Sequence, residues 1–75
     1  MISVTVTLYP PLREGRFSKA AVDIDEPATI TSLLDHLGIN TRMVESIYIN
    51  SKEGGFDNRL HDGDRVAFLP SIGGG

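Results

Sequence analysis

The chain ends Pro70-Ser71-Ile72-Gly73-Gly74-Gly75. Three successive glycines carry no Cβ and bury no side chain, and their high conformational entropy gives a folded body no reason to hold them. The segment 71–75 is therefore expected to project as a flexible C-terminal tail. A carboxylate on such a tail can thread a narrow tunnel and present its carbonyl carbon to another protein's active site without steric hindrance, and backbone capture of a chain end is an established recognition mode. The bland reading is a cloning remnant or a frayed end.

Other candidate chemistry is thinner. His36 follows Asp35 and His61 precedes Asp62, but two isolated histidines without a third ligand fall short of metal-site spacing, and both read as solvated. Gly54-Gly55 does not lead from a strand into a helix, as a phosphate loop would. Asp62 and Asp64 flank Gly63 as turn residues do. No apolar pocket is in view that would separate their ionisation into an acid and a base.

The elements that would carry the tail follow from periodicity. Ile2, Val4, Val6 and Leu8 alternate with Ser3, Thr5 and Thr7, the pattern of a strand with one face on a core. Pro10-Pro11 ends it. A second alternation from Ser18 places Ala20, Val22 and Ile24 on one side and reads as a hairpin partner, with Asp23, Asp25 and Glu26 toward solvent. Ile30, Leu33, Leu34 and Leu37 then form one stripe of a short helix. Thr29 suits its N-cap and Gly38 its left-handed end, while Ser32 stands where a capping box would want Glu or Gln. Eight residues of helix are unstable alone, so the helix must lie on the sheet. Ser46 to Asn50 reads as a third strand, residues 51–55 as a loop, Phe56 to Leu60 as an irregular or weak edge segment, Asp62-Gly63 as a turn and Arg65 to Pro70 as the last strand.

In that last strand Val66 and Phe68 take one parity and Ala67 and Leu69 the other, where a sheet covered on one side should show polar groups. Either Leu69 faces a partner, or it packs under the loop at Gly54-Gly55 or stands as an isolated surface leucine.

Composition narrows the classes. Seventy-five residues at 40% apolar support one modest core, so residues 1–70 are expected to form a single α+β domain. Without Cys there is no disulfide framework, thiolate metal site or cysteine nucleophile. A net charge of −3 with no basic cluster argues against nucleic acid or an anionic membrane as partner. No stretch has the length of a membrane span and the N-terminus lacks the form of a signal peptide, so a soluble cytoplasmic location is expected.

The stretch Leu60-His61-Asp62-Gly63-Asp64 through Phe68-Leu69-Pro70 to Gly73-Gly74-Gly75 resembles the end of the ubiquitin-like sulfur carriers, the small subunit of molybdopterin synthase and its thiamin-pathway relative. Ile49-Asn50, the Thr29/Leu33-Leu34 helix start and Leu12-Arg13-Glu14 extend the resemblance over nearly the whole chain. Pro10-Pro11 lengthens the connection before Leu12, the triple glycine is closer to the thiamin type, and Phe68-Leu69-Pro70 is closer to the molybdopterin type.

The resemblance implies a β-grasp fold, a mixed sheet of four to five strands with one main helix on one face. It also implies a carrier that is not an enzyme by itself. Gly75 would be adenylated and converted to a thiocarboxylate, with Gly73 and Gly74 as reach, Leu69, Pro70 and Ile72 as apolar partner contacts and Arg13 as a polar rim contact. The protein would bind no cofactor or metal, ATP being used by the activating partner. Its partners would be a ubiquitin-activating-like adenylating enzyme and a sulfur-accepting synthase, either the molybdopterin synthase large subunit or thiazole synthase. The alternatives are a sulfur carrier for thiamin thiazole synthesis and a ubiquitin-like protein modifier, and outside covalent chemistry a non-covalent adaptor.

Overall fold

A computed structural model of the chain describes residues 1–70. Strands β1 (Ile2–Leu8), β2 (Lys19–Ile24), β3 (Val44–Ile49), β4 (Lys52–Glu53) and β5 (Arg65–Pro70) form one sheet in the order β2-β1-β5-β3-β4. Among the described residues a single α-helix, α1 (Ile30–Leu37), lies on one face. β1 runs antiparallel to β2 and parallel to β5, while β3 is antiparallel to both β5 and β4. Because β1 and β5 point the same way and pair Leu8 with Phe68, the connection after β1 and the exit of β5 at Pro70 share one end of the sheet.

The core is what the alternation dictates. Ile2, Val4, Val6 and Leu8 turn inward from β1, and Val66 and Phe68 from β5, against Ile30, Leu33 and Leu34 of the helix. Among the described residues every buried one is apolar, and no buried side-chain polar atom lacks a hydrogen bond. Leu12 leaves the β1–β2 connection to plug the same core.

β3 starts two residues earlier than its pattern suggests, after a 3-10 turn at Thr41–Met43. A bulge between Val44 and Ser46 explains it: the extra residue lets Val44 and Ile47, three apart, both face inward. β4 replaces part of the expected loop at 51–55. Asn50 and Ser51, with φ of 53° and 71°, make the two-residue turn whose handedness matches a twisted hairpin.

The helix ends are tied down. Thr29 Oγ1 accepts from Ser32 N at 3.2 Å and Thr29 N donates to Ser32 Oγ at 2.8 Å, so the short serine side chain closes the capping box expected to need Glu or Gln. The irregular segment 56–60 caps the same end, where Ile30 N and Thr31 N donate to Asn58 and Phe56 carbonyls. Gly38, at φ 72°, ends the helix, and Ile39 N donates back to Leu34 O at 2.9 Å while its side chain is buried.

Among the described residues no helix is long and apolar enough to cross a membrane. The sequence readings on Ile72, Gly73, Gly74 and Gly75, and the tail at 71–75, lie outside the described residues.

Candidate functional site

The helix covers one face of the sheet, and the opposite face carries the residues of the other parity. Register places Ala67 of β5 between Thr7 of β1 and Tyr48 of β3. A two-residue step along each strand brings Tyr9 beyond Thr7 and Leu69 beyond Ala67, toward the end where β5 stops. The small Ala67 side chain leaves a floor between larger neighbours. The result is an open cleft of about 480 Å³ lined by Thr7, Tyr9, Tyr48, Arg65, Ala67 and Leu69.

Leu69 is half-buried and lines this open cleft, at whose edge Ser51 of the β3–β4 turn also stands. Pro70, also half-buried, pairs in register with Val44 at the strand's end. Tyr9 and Tyr48 are 46% and 38% exposed, so two aromatic rings flank the apolar floor while their bodies remain partly in water. Sequence reasoning missed both tyrosines, because on an alternating strand an outward tyrosine looks like any solvent-facing residue.

Arg13 is exposed in the turn after β1, at the end of the sheet where β5 exits, and its carbonyl accepts from Arg16 N at 3.0 Å. The structural cation of this loop is Arg16. Its guanidinium donates to the carbonyls of Leu12 at 3.0 Å, Gly38 at 3.0 Å and Leu37 at 3.4 Å, binding the loop to the helix C-terminus where carbonyls lack intrahelical partners. Only folding brings residues 16 and 38 together.

The aspartates at the turn before β5 stitch strands. Asp62 Oδ1 accepts from Ser3 N at 2.8 Å, and Gly63, at φ 87°, donates from its N to Ser3 O at 2.8 Å. Asp64 accepts from His61 N at 2.9 Å and from Asn50 Nδ2 at 3.0 Å. Both carboxylates are thus engaged in turn geometry, as their spacing suggested. His36 and His61 are exposed, and among the described residues no three His, Asp or Glu side chains gather as a metal site would need.

A model described as the ThiS family matches residues 6–75, nearly the full length. The chain belongs to the ThiS family. Among solved structures it is similar to the small archaeal modifier protein 1 of Haloferax volcanii, at 20% identity and a TM-score of 0.76 over 96% of this chain and 100% of that one. It is also similar to a chain in the complex of subunits 1 and 2 of molybdopterin-converting factor from Helicobacter pylori, at 22% identity and a TM-score of 0.62 over 99% of this chain and 100% of that one. A third similar structure is a thiamine biosynthesis protein, ThiS, from Geobacter metallireducens, at 28% identity and 0.58 over 95% and 99%. No curated protein matches the sequence significantly. With this ThiS-family member the fold is settled as β-grasp: a mixed five-stranded sheet and one helix, as the sequence resemblance implied.

Proposed function

We infer that this ThiS-family protein is a sulfur carrier for molybdopterin-type cofactor assembly, with Gly75 as the reacting residue. The observation that carries this reading is the family match running through the glycine end to residue 75. The fold adds support, because β5, which carries the floor of an uncovered cleft, ends at Pro70, five residues before Gly75 in the chain. A partner that seats the tail can therefore grip the Leu69 and Pro70 region in the same encounter, with Ile72 and Arg13 as further contacts.

The chemistry begins at a poor acyl donor. A Gly75 carboxylate oxygen attacks the α-phosphorus of ATP in an adenylating partner, pyrophosphate leaves, and the product is a mixed anhydride with AMP. A persulfide sulfur of the donor attacks the carbonyl carbon and AMP leaves. A second thiol of the donor attacks the donor-side sulfur of the resulting acyl disulfide, which breaks the S–S bond, leaves a disulfide on the donor and keeps the other sulfur on the terminus as a thiocarboxylate. That sulfur is a better nucleophile than a carboxylate oxygen and attacks a cofactor precursor in the sulfur-accepting synthase. A chain without cysteine thereby carries sulfur on its end. Catalysis resides in the partners; this chain is the co-substrate or non-catalytic subunit.

Membership of subunit 1 in the H. pylori complex supports the large subunit of molybdopterin synthase as the acceptor. A second reading, thiazole synthesis, is favoured by the 28% identity to the Geobacter thiamine biosynthesis protein and by the triple glycine. The test is ATP–pyrophosphate exchange by the adenylating enzyme of the same organism, with the wild type and a variant lacking Gly75. Exchange that needs Gly75 supports the carrier reading, and exchange indifferent to its deletion rejects it. Supplying the thiocarboxylated form to each synthase then separates the two pathways.

A further inference from the structure

Arg65 is the one charged residue lining the cleft among the described residues, in a chain whose net charge is −3. Its backbone is held from both sides: Arg65 N donates to Asn50 Oδ1 at 2.9 Å, and Arg65 O accepts from Asn50 N at 2.7 Å. Its parity is that of Ala67 and Leu69, so its side chain leaves the sheet on the uncovered face. The neighbouring Asp64 carboxylate accepts from His61 N and Asn50 Nδ2 within the turn. Among the described residues neither ion pair, Met1 with Glu26 or His61 with Asp64, involves Arg65. A guanidinium at a fixed strand position, beside an aromatic-walled apolar floor, is therefore available to an external anion.

We propose that Arg65 is a specificity contact of the docking face: the protein that covers the cleft places an aliphatic or aromatic side chain over Ala67 and Leu69 and a carboxylate on the Arg65 guanidinium. The inference rests on the carrier reading only in naming the adenylating enzyme as that protein. A second copy of this chain fits less well, because a twofold contact centred on the cleft sets Arg65 near its own symmetry mate, and the carboxylate on this face, Glu53, stands cross-strand from Tyr48 outside the cleft lining. One cation also falls short of the several phosphate contacts that nucleic-acid binding needs. Arginine suits this task because its planar fork pairs both oxygens of a carboxylate, and such pairs at an interface set on-rate and partner choice.

The test is calorimetric binding of the adenylating enzyme to the wild type and to Arg65→Glu, Arg65→Gln, Arg65→Lys and Gly75-deleted proteins, with exchange measured in parallel. The expected result is affinity weakened about tenfold or more by Arg65→Glu, less by Arg65→Gln, and largely kept by Arg65→Lys. Wild-type affinity should fall with salt more steeply than that of Arg65→Gln. Thermal melting within a few degrees of wild type shows that the exposed substitutions leave the fold intact. If Arg65→Glu binds within about twofold of wild type, or the enzyme does not bind the wild type, the contact is overturned. A wild-type dimer in sedimentation that Arg65→Glu dissolves overturns it in favour of self-association. Exchange that survives Gly75 deletion while Arg65→Glu still weakens binding sinks the carrier chemistry and leaves the contact standing.

Discussion

Asn50 Nδ2 donates to Asp64 Oδ1 at 3.0 Å while Asn50 Oδ1 accepts from Arg65 N at 2.9 Å, so one side chain ties the β3–β4 hairpin turn to the turn that launches β5. Asn50 also occupies the left-handed region at φ 53°, which asparagine tolerates better than most residues. Asn50→Ala is expected to cost about 1–2 kcal/mol, since it removes two hydrogen bonds and leaves a residue with a Cβ at a positive φ. Asn50→Gly removes the same bonds without the backbone cost and should lose less. The urea midpoints of the two variants check this order.

Ser51, at φ 71°, has neither glycine's freedom nor asparagine's tolerance, although its turn class favours Asn-Gly. Ser51→Gly should therefore stabilise the protein by about 0.5–1 kcal/mol, the relief of left-handed strain exceeding the entropy added to the unfolded chain. A raised urea midpoint at unchanged slope is the expected signature.

Neighbours in β5 should part company. Phe68 is 0% exposed in the core, whereas Leu69 is half-buried on the uncovered face. Phe68→Ala is expected to cost about 3–5 kcal/mol, and Leu69→Glu less than about 1 kcal/mol while weakening the adenylating enzyme's grip. Denaturation and binding measured on both variants check the split, and a collapse of the fold in Leu69→Glu would move Leu69 into the core.

Arg16 joins the β1–β2 loop to the helix end through the carbonyls of Leu37 and Gly38, and bonds the Leu12 carbonyl within the loop. Arg16→Ala should cost about 1–2 kcal/mol and raise amide exchange at Gly38 and Ile39 first. Lysine gathers its donors on one nitrogen in place of a planar fork, so Arg16→Lys should recover only part of the loss.

How far the sequence could be read follows the strength of local patterns. β1, β2 and α1 repeat their apolar residues at a clean period, and β5 is bounded by the Asp62-Gly63-Asp64 turn, so each was legible. β4 has two residues, both exposed and charged, and its turn is Asn-Ser rather than Asn-Gly, so neither alternation nor turn chemistry marked it. The start of β3 was hidden by a bulge that puts Val44 and Ile47 on one face at odd spacing. At the candidate site, Leu69 stood out because an apolar residue broke the expected parity. Tyr9, Tyr48 and Arg65 did not, because outward polar or amphipathic residues are normal on such a face and only the strand order β1-β5-β3 gathers them. Arg16 was illegible for the same reason, since its carbonyl partners at Leu37 and Gly38 lie 21 and 22 positions away.

The central claim is that the last carbonyl of the chain is where sulfur rides. Its most direct test is the intact mass of the protein after incubation with its adenylating enzyme, ATP and a persulfide donor, followed by sequencing of the terminal peptide. The expected result is a gain equal to one sulfur less one oxygen, located on Gly75 and absent when ATP is withheld. An unchanged mass under conditions where the enzyme thiocarboxylates another carrier would contradict the claim.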